Sequence, residues 1–163
     1  MLLDIKKIFS TYDAPVKVSE ELDLSKEDFP GYEVPDSIHL ELCLVLHGNV
    51  LETELYFRAQ AVYECARCLE RSQQVFDVER SYPVRQADLT DPDAELPFTE
   101  DGQLDTKELV YSELLLEIPT VLLCSDDCAG LCPVCGRKKP CACTHETNDA
   151  TDERLSILKQ LLS

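Results

Sequence analysis

From Ile38 to Leu46 every even position is apolar: Ile38, Leu40, Leu42, Leu44 and Leu46. The odd positions over the same stretch and just beyond it are His39, Glu41, Cys43, Val45 and His47. Successive side chains of a strand point to opposite sides of a sheet, so a period of two predicts a strand with one buried face. Gly48-Asn49 supplies turn chemistry. Leu51, Thr53, Leu55, Phe57, Ala59, Ala61 and Tyr63 then alternate with Glu52, Glu54, Arg58 and Gln60. The two runs predict a β-hairpin with a single apolar face. Phe76, Val78, Tyr82 and Val84 suggest a third strand that ends near Pro83.

The flanks follow other patterns. Leu2, Ile5, Ile8 and Phe9 fall at helical spacing and predict two amphipathic turns over residues 1–9, docked on a core. Residues 10–36 are polar, broken by Pro15, Pro30 and Pro35, and carry Glu20, Glu21, Asp23, Glu27 and Asp28. They read as surface connection, with Val16 and Val18 able to form a short edge strand. Residues 87–103 are an acidic loop. Asp105 and Glu108 make a capping-box-like helix start, Val110, Leu114 and Leu115 its apolar side, and Pro119 its stop. Leu155, Leu158 and Leu162 place a last helix over residues 152–162.

These elements predict an α+β fold: an antiparallel β-meander with flanking short helices and, from Cys124 to Cys143, a cysteine-rich C-terminal segment. Residues 1–123 would form the body with its antiparallel sheet. Residues 124–163 would form the cysteine-rich segment and last helix, continuous with the body as one structural unit.

A chain of 163 residues can bury about two-thirds of its unfolded surface and needs no staples to fold, yet this one has nine cysteines. Disulfides in an oxidising compartment and metal ligation in a reducing one are the two explanations. An odd count leaves one thiol unpaired, and the opening residues, with Asp4 followed by Lys6 and Lys7, lack the form of a signal peptide. No run approaches the roughly 18 apolar residues of a membrane span. The expectation is a cytoplasmic metal-binding protein.

Eight cysteines fall into close pairs: Cys65 and Cys68, Cys124 and Cys128, Cys132 and Cys135, and Cys141 and Cys143. A tight turn bearing two cysteines supplies two of the four ligands of a tetrahedral zinc site from one piece of backbone. In Cys132-Pro133-Val134-Cys135-Gly136 the proline fixes φ before the bend. The glycine lets backbone amides approach the sulfurs and offset their charge. Four pairs make two sites, hence two zinc ions. Cys132, Cys135, Cys141 and Cys143 lie close enough in sequence to close one site cheaply. That leaves Cys65 and Cys68 with Cys124 and Cys128. The rival grouping joins Cys65 and Cys68 to Cys132 and Cys135, as in a zinc ribbon, but strands the last pair without near partners. Cys43 reads as a packing residue, His39 and His47 as ordinary surface groups, and His145 as a substitute ligand at most.

The formal net charge is −17, and thiolate-held zinc would make it more negative. Gripping bare nucleic-acid phosphate needs clustered Lys and Arg, so a basic protein partner fits most of this surface better. Arg137-Lys138-Lys139 is the one run of three bases. It could touch RNA phosphate or balance the thiolate charge.

The string from Leu123-Cys124 through Cys128-Ala129-Gly130-Leu131-Cys132-Pro133-Val134-Cys135-Gly136, with Cys65-Ala66-Arg67-Cys68-Leu69 upstream, resembles the YceD family of large-ribosomal-RNA accumulation proteins. The likeness covers most of the chain, including the strand pair and the closing Asp152-Glu153-Arg154-Leu155 helix. It implies a role in accumulation of large-subunit ribosomal RNA and assembly of the large subunit, with a subunit precursor, ribosomal RNA or a basic ribosomal protein as partner. Family members vary in their C-terminal cysteines, and a common form has Asn-Leu-Asn where this chain has Arg137-Lys138-Lys139. No enzyme is expected: four-cysteine sites are closed, with no position for water or substrate, and no phosphate-cradling glycine loop or nucleophile elbow is present. Neither a small-molecule substrate nor a membrane is expected as partner. Two other classes remain on spacing alone. One is a rubredoxin-like iron electron carrier, because C-P-x-C-G is also its knuckle; the other is a zinc-ribbon adaptor in transcription.

Overall fold

The alternating segments find cover in one curved antiparallel sheet, seen in a computed structural model that describes residues 1–11, 15–91 and 93–143. In chain order the elements are β1 (Leu2–Asp4), α1 (Ile5–Thr11), β2 (Val16–Leu22), β3 (Tyr32–Glu33), β4 (Ile38–His47), β5 (Val50–Glu64), β6 (Arg71–Arg85), β7 (Gln103–Asp105) and α2 (Thr106–Glu117). Neighbours run β2-β4-β5-β6, and short β3 pairs the far end of β5, Tyr32 opposite Tyr63. β5 and β6 stay in register from Val50–Arg85 to Glu64–Arg71, so the turn between them, residues 65–70, sits at one end of the sheet. β1 and β7 make a separate two-stranded pair. The architecture is α+β, and among the described residues no helix is long and apolar enough to cross a membrane.

The period of two holds: Ile38, Leu40, Leu42 and Leu44 are buried, as are Leu51, Leu55, Phe57, Ala59, Ala61 and Tyr63. The third strand is longer than its apolar residues suggest and runs through Pro83. Among the described residues β6 pairs only with β5, and an edge strand tolerates a proline whose missing N–H would face away from the ladder.

Three expectations need correction. Leu2 is exposed in a strand, not on a helix; β1 is held across β7, with the Thr106 amide donating to the Met1 carbonyl, so α1 buries only Ile5 and Ile8. Residues 10–36 are not mere connection. β2 covers seven residues, and Leu22, Leu24, Phe29, Tyr32 and Val34 all enter the core, their period obscured by prolines and acids. On α2 the inward face is Leu109, Val110, Glu113 and Leu114, while Leu115 and Leu116 are exposed. The Asp105 carboxylate caps the helix by accepting from the Lys107 and Glu108 amides. The helix ends one residue before Ile118, which is extended ahead of Pro119 as a residue preceding proline must be. Glu113 is 4% exposed, accepts a short hydrogen bond from the Tyr82 hydroxyl, and lies 3.6 Å from Arg80 Nε. The helix expected over residues 152–162, and His145, lie outside the described residues.

Candidate metal centre

The turn after β5 and the turn at residues 132–137 have the same backbone. In the first, the Leu69 amide donates to the Cys65 carbonyl at 2.9 Å and the Cys65 amide to the Glu70 carbonyl at 2.9 Å. In the second, the Gly136 amide donates to the Cys132 carbonyl at 2.8 Å and the Cys132 amide to the Arg137 carbonyl at 2.7 Å. Both need the residue after the second cysteine in the left-handed region. Gly136 is there at φ 69°, and Leu69 is there at φ 60° despite its side chain. Leu69 carries the backbone strain of that position, with its side chain 62% exposed. The knuckle therefore forms without a glycine after its second cysteine.

The remaining cysteines are brought in by the chain leaving α2. The Ala66 amide donates to the Leu122 carbonyl at 2.9 Å, and the Tyr63 hydroxyl to the Leu123 carbonyl at 3.0 Å. These two bonds dock the segment on the end of the sheet and set Cys124 beside the knuckle. A further turn, with the Cys128 amide donating to the Ser125 carbonyl, brings Cys128 back.

The result is two clusters, Cys65 with Cys68, Cys124 and Cys128, and Cys132 with Cys135, Cys141 and Cys143. Within each, the sulfurs all lie within 4.8 Å of one another. The zinc-ribbon grouping of Cys65 and Cys68 with Cys132 and Cys135 is not the one formed. In the first cluster Cys65 Sγ is 3.7 Å from Cys128 Sγ, and Cys68 Sγ is 3.6 Å from Cys124 Sγ. Four sulfurs at about 2.3 Å from a central zinc would be about 3.8 Å apart, so the set fits a tetrahedral ion. The first cluster is largely buried; the second is more open, with Cys135 exposed.

Electrostatics make the same point. Amides of Cys124, Arg67 and Cys68 donate to Cys65 and lower its pKa to about 6. Cys68 also receives an amide, from Glu70, but burial and its three neighbouring thiols push it up to about 12. In the second cluster the Cys135 and Val134 amides, each 3.4 Å from the Cys132 sulfur, lower Cys132 to about 6. Crowding by Cys135, burial and Cys141 raise Cys143 to about 12. One thiolate is readily formed in each cluster, whereas Cys68 in the first and Cys141 and Cys143 in the second resist, because like charges at this spacing repel. A divalent cation would remove that resistance, so the donor set suits a metal ion.

The neighbouring charges are arranged around these sulfurs. Lys138 pairs with Glu70, which raises its pKa above the usual lysine range. It is thus engaged with the first knuckle, while Arg137 is exposed and Lys139 half-buried. Cys43 is half-buried on β4 and belongs to neither cluster, and His39 and His47 lie beside Glu21, Glu41 and Glu52 on the sheet's outer face. Sequence reading missed Arg67, whose Nη1 donates to the Cys128 carbonyl at 3.0 Å and the Asp126 carbonyl at 3.4 Å. An arginine between two cysteines in a polar loop was the available signal.

Fold and site define a small α+β protein with two four-cysteine clusters able to hold metal. Residues 53–162 match the family described as large ribosomal RNA subunit accumulation protein YceD, and the chain belongs to that family. It is also similar to uncharacterized proteins of Mycobacterium tuberculosis and Mycobacterium bovis, 30% identical over 132 residues, covering 66% of this chain and 64% of theirs. An uncharacterized protein of Mycobacterium leprae is 29% identical over 82 residues, covering 48% of this chain and 38% of its own. The chain thus spans less than two-thirds of the length of these curated relatives. No solved structure matches it.

Proposed function

We propose that this protein is a non-catalytic, zinc-binding factor of the cytoplasm that promotes accumulation of large-subunit ribosomal RNA and assembly of the large ribosomal subunit. The observation that carries the reading is the pair of four-cysteine clusters in a chain of the YceD family. Four thiolates close the coordination sphere of zinc and leave no position for substrate, so the ions would be structural. The net charge of −17 favours a basic ribosomal protein as the direct contact. Precursor RNA would approach the end bearing Arg137, Lys138 and Lys139. Zinc rather than iron is preferred because the two knuckles fall in different clusters instead of facing each other across one ion.

The test is sedimentation of cell extracts together with crosslinking in cells and the metal content of purified protein. Co-sedimentation with large-subunit precursors, captured basic ribosomal protein or precursor RNA, and colourless protein carrying zinc support the reading. Protein found only in the soluble fraction would refute the ribosomal role, and a coloured protein carrying iron would refute the structural-zinc role.

A further inference from the structure

We propose that Arg67 and Gly130 form a latch that couples the two clusters, so that an ion held in one tightens the hold of the other. The inference rests on the zinc reading above and concerns how this chain's own residues position the two ligand sets.

Residues 124–131 serve both clusters. Cys124 and Cys128 belong to the first, whereas Gly130 and Leu131 frame the second. The Lys139 amide donates to the Gly130 carbonyl at 3.0 Å, and Leu131 bridges Lys138 in antiparallel fashion, closing the loop that carries Cys132 and Cys135. That frame approaches the first knuckle at Gly130, beside Arg67. A Cβ on Gly130, at φ +72°, would stand 3.1 Å from the Arg67 carbonyl oxygen, so only glycine allows the approach without displacing backbone. From the other side the Arg67 guanidinium holds the Asp126 and Cys128 carbonyls, and Glu70 on the same knuckle pairs with Lys138.

The consequence is thermodynamic. When an ion fixes Cys124 and Cys128 against Cys65 and Cys68, it also fixes Gly130 and Leu131. The second loop then needs less ordering to bind its own ion. Coupling of this kind is reciprocal, so an ion in the second cluster must tighten the first by the same factor. Arg67 is not a ligand; it acts through the carbonyls it holds and is a positioning residue.

The experiment uses the full chain loaded with zinc and competed with a chromophoric chelator of known zinc affinity. The wild type is expected to release two ions in one steep transition. Arg67→Ala and Gly130→Ala keep all eight paired cysteines. In each, the second cluster's ion should leave separately, with its affinity about tenfold weaker, while circular dichroism of the sheet is unchanged. Cys135→Ser, which disables the second cluster, identifies which step is which. Gly48→Ala, at a hairpin glycine of φ +62° with open space around it, should keep the single transition. Two wild-type steps whose spacing neither variant alters would overturn the latch. A wild-type content other than two zinc ions would instead overturn the zinc reading, and the latch with it.

Discussion

Disabling the first cluster should cost the sheet more stability than disabling the second, by an amount set by chain length. Cys124→Ser and Cys135→Ser each remove one ligand at a site with solvent access, since Cys124 is half-buried and Cys135 exposed. The loops they open differ. An ion in the first cluster ties the knuckle after β5 to the segment after α2, closing roughly 55 residues of chain, whereas the second closes about six between Cys135 and Cys141. Loop closure in the unfolded chain scales as (3/2)RT ln n, so the longer clip removes about 2 kcal/mol more unfolded-state freedom. The folded state adds to the difference. The first cluster holds the Ala66–Leu122 and Tyr63–Leu123 bonds, and so the attachment of α2's exit to the sheet, while the second, among the described residues, meets the body at the first knuckle. Urea unfolding of zinc-loaded protein, followed by the circular dichroism of the sheet, measures both. Cys124→Ser should lower the unfolding free energy at least about 2 kcal/mol more than Cys135→Ser. Equal losses, or a larger loss for Cys135→Ser, would refute the idea that the first cluster is the long-range clamp. The latch adds about a tenfold effect, too small to reverse the order.

Tyr82→Phe removes the one hydrogen bond that the buried Glu113 carboxylate accepts among the described residues and should cost about 2 kcal/mol in urea unfolding; a loss below about 0.5 kcal/mol would show the carboxylate satisfied otherwise. Asp105→Ala removes the cap of α2 and should cost about 1 kcal/mol in thermal or urea melts. Burial holds Tyr32 at about 12, and burial with the Glu113 carboxylate does the same for Tyr82, against an ordinary value of 10. Because these folded-state values are raised, their contribution to stability is present in full below about pH 10 and falls as pH rises through about 12. A spectrophotometric titration of phenolate should therefore leave at least two tyrosines protonated at about pH 11 in folded protein, and titration of every tyrosine near pH 10 would contradict it.

What could be read from residues alone was what repeats locally. The even-numbered run in β4 and the odd-numbered run in β5 needed no tertiary information, because each buries a whole face against one core. β2 was harder. Its inward residues include Val16, Val18, Glu20 and Leu22, and a glutamate on the inward side breaks the pattern. Its carboxylate survives there because the Thr106 hydroxyl donates to it at 2.7 Å, a partner 86 residues away. The α2 face was misjudged for a related reason. Leu115 and Leu116 are apolar yet exposed, and Glu113 is charged yet buried, its place decided by Tyr82 and Arg80 on β6. Hydrophobic period reads the average environment of a helix, and a buried carboxylate with long-range partners is invisible to it.

The clusters show the same division between local and global. Pairs of cysteines announce half-sites, because C-x-x-C is a property of one turn. Which half-sites meet is a property of topology. The unbroken β5–β6 ladder carries Cys65 and Cys68 to the end of the sheet, and the exit from α2 passes that end with Leu122 and Leu123 bonded to Ala66 and Tyr63. That path delivers Cys124 and Cys128, and it turns Cys132 and Cys135 away toward their own neighbours. A glycine after the second cysteine is not required for the knuckle. Leu69 shows that the left-handed position is demanded by the two backbone hydrogen bonds spanning Cys65 to Glu70, whatever residue supplies it. A cost of about 1–2 kcal/mol for leucine there is small beside what a bound structural zinc can contribute, about 10–16 kcal/mol in small peptides.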